Sequence, residues 1–169
     1  MSRLWSHPAY AEDQAHSKAI LTTHVLFRGF QTGAIIGPTV GAVRYALLRR
    51  RSPVAPPLLP YLIRSTGTGA VVGTGLLAIA LEARMWGREE IEWKDRAWRL
   101  LENRGQMEVD TWGAAGMTAG GAALAATRGL RGIGWKMAFG SLGMGGTAGV
   151  LGYMVWRHGV NGGKWPEDA

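Results

Sequence analysis

Cysteine is absent from the 169 residues, which removes disulfides, thiolate metal sites and thiol nucleophiles together. The four histidines, His7, His16, His24 and His158, are scattered without metal-ligand spacing, so surface or interfacial positions are expected for them. No nucleophile elbow, phosphate loop or nucleotide fingerprint occurs. Gly67, Gly69 and Gly73 imitate a dinucleotide-binding spacing, but no strand precedes them and no polar helix follows. Carboxylates cluster only at Glu89, Glu90, Glu92 and Asp95, each with cations nearby, which reads as a solvated face rather than a general acid–base pair. The expectation is therefore of no catalytic, cofactor-binding or metal-ligating residue and no small-molecule substrate.

A net charge of +7 raises nucleic acid or an anionic membrane surface as partners. The basic stripe interleaved with exposed aromatics that nucleic acid would need is missing, so no nucleic-acid partner is expected. The N-terminal residues lack the apolar core of a secretory signal, and Glu12 and Asp13 argue against an acid-poor mitochondrial presequence. Any import signal is expected to be internal.

Glycine is plentiful, with 26 residues and no collagen period. It is interleaved with Ala, Val, Ile, Leu and Met in four uncharged runs, which lie between Arg28 and Arg44, Arg64 and Glu82, Asp110 and Arg128, and Lys136 and Arg157. In a soluble core such runs would lose backbone entropy and pack poorly, whereas in lipid small residues gain close contact. The expected fold is all-α, an integral bundle of four transmembrane helices forming one membrane domain. The spans are placed at 22–48, 58–84, 109–128 and 132–157, with a polar segment at 1–21, an amphipathic connection at 85–108 and a tail at 158–169.

Each run carries glycines four apart: the ladder Gly29, Gly33, Gly37 and Gly41 in the first, Gly69 and Gly73 in the second, Gly116 and Gly120 in the third, and Gly145 and Gly149 in the fourth. Four residues advance about 400° around a helix, so these glycines share a slowly drifting face and admit a neighbouring backbone. Helix packing is their expected role. The ladder drifts about 120° over roughly 18 Å, which predicts either a right-handed crossing or two partners meeting different rungs. Pro38, inside the ladder, predicts a kink there, with Thr39 or a partner helix satisfying the freed carbonyl of Ala34.

The first connection is basic and proline-rich, from Arg49, Arg50 and Arg51 to Pro53, Pro56 and Pro57, and the third holds Arg128, Arg131 and Lys136 without an acid. The positive-inside rule puts both on one side, the matrix in a mitochondrial inner membrane, with both termini in the intermembrane space. Arg49, Arg50 and Arg51 are the expected contacts for anionic lipid such as cardiolipin. In the second connection Trp86, Trp93 and Leu100 recur seven apart beside four-apart ion pairs. That pattern predicts an amphipathic helix with Trp86 and Trp93 at headgroup level, gripping a partner or packed back on the bundle.

The layout resembles the Tim17/Tim22/Tim23 group of mitochondrial inner-membrane proteins. Length and order of features are more similar to the fungal NUXM-type accessory subunit of respiratory complex I, through FRGFQTGAIIGPTVGAVRYALLRR, WGREEIEWKDRAWRLLE and the ending WRHGVNGGKWPEDA. That resemblance implies an accessory subunit of NADH:ubiquinone oxidoreductase, without a redox cofactor, that stabilises the membrane arm and contacts its other subunits, the bilayer and structural phospholipids. The alternative is a translocase-type or solute-conducting protein in which Thr66, Thr68 and Thr74 line a water-filled groove.

Overall fold

From Ser17 to Arg51 the chain runs as one helix, α1, in a computed structural model that describes residues 5–52, 54–128 and 132–164. Pro53, Arg131 and the tail residues 165–169 lie outside the described residues. A short 3-10 turn at Ala11–Asp13 precedes α1, and His16 enters it with a positive φ of 56°. Arg49, Arg50 and Arg51 fill its last turn, where cations suit the unpaired carbonyls. The helix continues through Pro38, and the Thr39 hydroxyl donates to the Ile35 carbonyl at 3.4 Å, one residue beyond the carbonyl that the proline frees.

Helix α2, Leu58–Met85, starts behind Pro56 and Pro57, whose fixed φ suits a helix entry, and Gly87 at φ +68° follows its end. Helix α3, Glu90–Glu102, begins with Glu90 and Glu92 and ends with Arg99, the charge order that the helix dipole favours. Helix α4 is Arg104–Arg128, and the Asn103 side chain caps it by accepting from the Gln106 amide at 3.1 Å. Helix α5, Trp135–Met154, runs on into a wider-wound turn, Val155–Val160.

The glycines explain how these helices stack. A Cβ at Gly29 would lie 2.7 Å from the Gly73 carbonyl oxygen, one at Gly37 2.5 Å from that of Ser65, and one at Gly33 would overlap that of Gly69. Positions rise by four on α1 as they fall by four on α2, so the two helices are antiparallel and α2 alone meets the first three rungs. Gly41 rests on the Ser65 side chain. The second hairpin repeats the construction: Gly116 against Gly145, Gly120 against Ser141, and Gly149 against Trp112.

The opposite face of α5 joins the hairpins. Cβ atoms at Gly67 and Gly140 would overlap the carbonyls of Lys136 and Ile63, and one at Gly143 would lie 2.8 Å from the Ala34 Cβ. These contacts set the first halves of α2 and α5 side by side, which brings both hairpin turns to one end of the molecule. Gly75, in contrast, has nothing within 4 Å of an added Cβ. Gly75→Ala is expected to stabilise the protein by about 1 kcal/mol, the difference in helix propensity, measured as a rise in unfolding midpoint.

At the other end α3 packs back on the bundle. Ala97 and Leu101 meet Ile20 and Met107, while Trp93 meets Leu81 and Met85. The N-terminal segment covers α3 from outside: Trp98 Nε1 donates to the Pro8 carbonyl at 2.9 Å, Lys94 to that of Glu12 at 2.9 Å, and His7 lies 3.1 Å from Glu102. The expected four-apart pairs form at Glu90–Lys94, Glu92–Arg96 and Asp95–Arg99.

The expected bundle of four transmembrane helices is overturned. Five α-helices form among the described residues, and of these only α2 is long and apolar enough to cross a membrane. The physical reason lies in the other sequences. Helix α1 carries Arg28 and Arg44 within its length, α4 opens with Arg104, Glu108 and Asp110, and α5 spends its length on glycines that add little apolar surface. The apolar stretch of α2 is only 22% buried, far from the enclosure of a soluble core helix.

Candidate functional site

Two features stand out: a buried polar clamp between the hairpins and an open groove along α1 and α2. Asp110, on α4, is completely buried. A carboxylate only accepts, so the His24 ring donates from Nδ1 to Asp110 Oδ2 at 2.7 Å. Arg28 Nη2 stands 2.9 Å from Oδ1 but off the direction of a hydrogen bond, making this contact chiefly electrostatic. Arg28 also donates to the Gln106 side-chain oxygen at 2.7 Å and to Gln31 Oε1 at 3.1 Å. Gln31 is itself buried, in space that Gly113 leaves, since a Cβ there would collide with its amide nitrogen.

A second polar group lies between α4 and α5. Tyr153 and Arg157 are both buried, and Arg157 Nη1 donates to the Lys164 carbonyl. Burial first, and then the neighbouring Glu108 carboxylate, raise the Tyr153 hydroxyl above its ordinary pKa, with Arg157 acting in the opposite direction. Every side chain in these clusters is held by another from the same chain. Such an arrangement ties helices together.

The groove is an open cavity of about 590 Å³ between α1 and α2. Gly29, Gly33, Gly37, Gly69 and Gly73 line it, with Ile36, Val40, Val72 and Leu76 supplying apolar surface. Arg44, Arg64 and Lys136 line it near the hairpin turns. All three are exposed, and among the described residues none has an ion-pair partner. Lys136 lies over the Trp135 ring, 5.4 Å from its centre.

The structure thus places the sequence-selected glycines inside the chain, facing one another. Arg49, Arg50 and Arg51 are exposed beyond the groove. Trp86 is 82% exposed, whereas Trp93 is buried under the Lys18 ammonium, 5.7 Å from its ring centre. Thr66 is fully buried and bonds the Leu62 carbonyl, Thr74 bonds that of Ala70, and Thr68 reaches the groove. Sequence reasoning missed the clamp. It set His24 at a surface or interfacial position and took Arg28 and Asp110 only as the charges that bound uncharged runs, although His24 and Arg28 stand four apart on α1.

Among the described residues the structure is glycine-packed and all-α, with one helix suited to crossing a membrane. The chain belongs to the family described as protein of unknown function (DUF1757), whose model matches residues 13–142, from the turn before α1 into α5. No curated protein matches it.

Proposed function

We propose that the protein is a non-catalytic scaffold anchored in a membrane through α2, acting as an accessory subunit of the membrane arm of mitochondrial complex I. One observation carries the scaffold reading: with its glycine faces closed internally, the molecule still exposes Val43 at 60%, Leu76 at 61% and Ile79 at 69%, along with many other large aliphatic side chains. So many exposed aliphatic side chains along α1 and α2 call for lipid or a partner subunit to cover them. The resemblance in the first long helix, the Trp-rich segment and the ending supports complex I as the assembly. The cations just before α2, Arg49, Arg50 and Arg51, favour a matrix position for its first turn, with its far end toward the intermembrane space.

The tagged full chain, extracted from mitochondria in mild detergent, is expected to migrate in native gels with NADH dehydrogenase activity. Its removal is expected to lower the amount of intact complex while leaving the activity per assembled complex unchanged. Migration as a free monomer, away from every respiratory complex, would overturn the proposal.

A further inference from the structure

We propose that the groove between α1 and α2 binds one anionic phospholipid, with its phosphate at Arg44, Arg64 and Lys136 and one acyl chain along the glycine-lined channel. The site rests on the membrane reading above but not on the choice of complex.

Shape and length argue for a lipid. Along the glycine rungs α1 and α2 touch backbone to backbone, so the groove beside that contact has a floor without large side chains, and its lining is apolar over most of its course. From Gly29 to Arg44 the helix rises about 22 Å. Half of a bilayer, from midplane to the outside of the headgroups, is also about 20–22 Å. One phospholipid therefore fits from chain end to phosphate without bending.

Charge argues for an anionic headgroup. The three cations come from three different helices and converge on one end of the groove. The described carboxylates belong to the N-terminal segment, the end of α2, the loop after it, α3 and the start of α4, all toward the opposite end. Free phosphate would use the cations alone and leave the apolar channel unexplained. The site also differs from the Arg49–Arg51 cluster, which does not line the groove.

The full chain is placed in nanodiscs of mixed phosphatidylcholine and phosphatidylglycerol, released in mild detergent, and weighed by native mass spectrometry. Wild type is expected to retain one phosphatidylglycerol. Arg44→Gln, Arg64→Gln and Lys136→Gln together are expected to weaken retention on the order of a hundredfold, from about one kcal/mol per cation. Replacing Arg49, Arg50 and Arg51 by Gln is expected to leave it nearly unchanged. Thr68→Trp, which keeps the cations and obstructs the channel, is expected to lose the lipid as well.

Equal retention of both lipids, loss only in the Arg49–Arg51 variant, or displacement of the lipid by excess inorganic phosphate would each overturn the site. A chain that never enters the nanodiscs would overturn the membrane reading instead.

Discussion

Arg28→Met is expected to destabilise the protein by about 3–5 kcal/mol, because it leaves the fully buried Asp110 carboxylate with His24 as its sole close side-chain partner among the described residues. The loss is larger than for an exposed ion pair, which contributes about 0–1 kcal/mol. Equilibrium urea unfolding in detergent measures it. The double variant Arg28→Met with Asp110→Leu is expected to recover most of that loss, since removing both charges leaves no uncompensated ion in the seam. A single-variant loss below about 1 kcal/mol would show that water reaches the carboxylate and that the clamp does not hold α1 to α4.

Gly33→Ala carries the second large effect. Its new methyl group would overlap the Gly69 carbonyl oxygen, and that obstacle is backbone, unable to rotate away. Helix propensity favours alanine by about 1 kcal/mol. Overpacking costs about 1–3 kcal/mol, and a backbone obstacle puts this site at the top of that range. The expected net loss is about 2 kcal/mol, seen as a lower unfolding midpoint, opposite in sign to Gly75→Ala. Equal stabilisation by both substitutions would mean that α1 and α2 do not touch along the ladder.

Glycine spacing was readable because four-residue steps survive any rotation of a helix, and close contact was the consequence drawn from it. Its partner was not readable. The ladder left room for two partners, but α2 carries Ser65, Gly69 and Gly73 at matching steps and meets the rungs alone. Helix positions were legible in the charge-free runs, yet α1 extends beyond its expected span at both ends. Trp93 and Leu100 showed their shared face in sequence, while its covering by Ile20, Leu81 and Met85 depended on the turn at Gly87.

The clamp was invisible for a different reason. His24 and Asp110 are 86 residues apart, and no local pattern links a histidine near one helix start to an acid near another. The absence of charge in the middle of the runs suggested four spans, but it took no account of how little apolar area glycine supplies. Only α2 kept enough aliphatic side chains along its length to qualify.

By itself the sequence determined the helices, the absence of thiol chemistry and the close-packing character of the glycine faces, because composition and periodicity act within one turn of backbone. Tertiary structure alone decided that those faces close on one another, that Asp110 of α4 is buried against His24 and Arg28 of α1, and that Arg44, Arg64 and Lys136 meet at one groove. Those outcomes depend on which helix lies against which, and that is set by the summed fit of whole surfaces rather than by any local spacing.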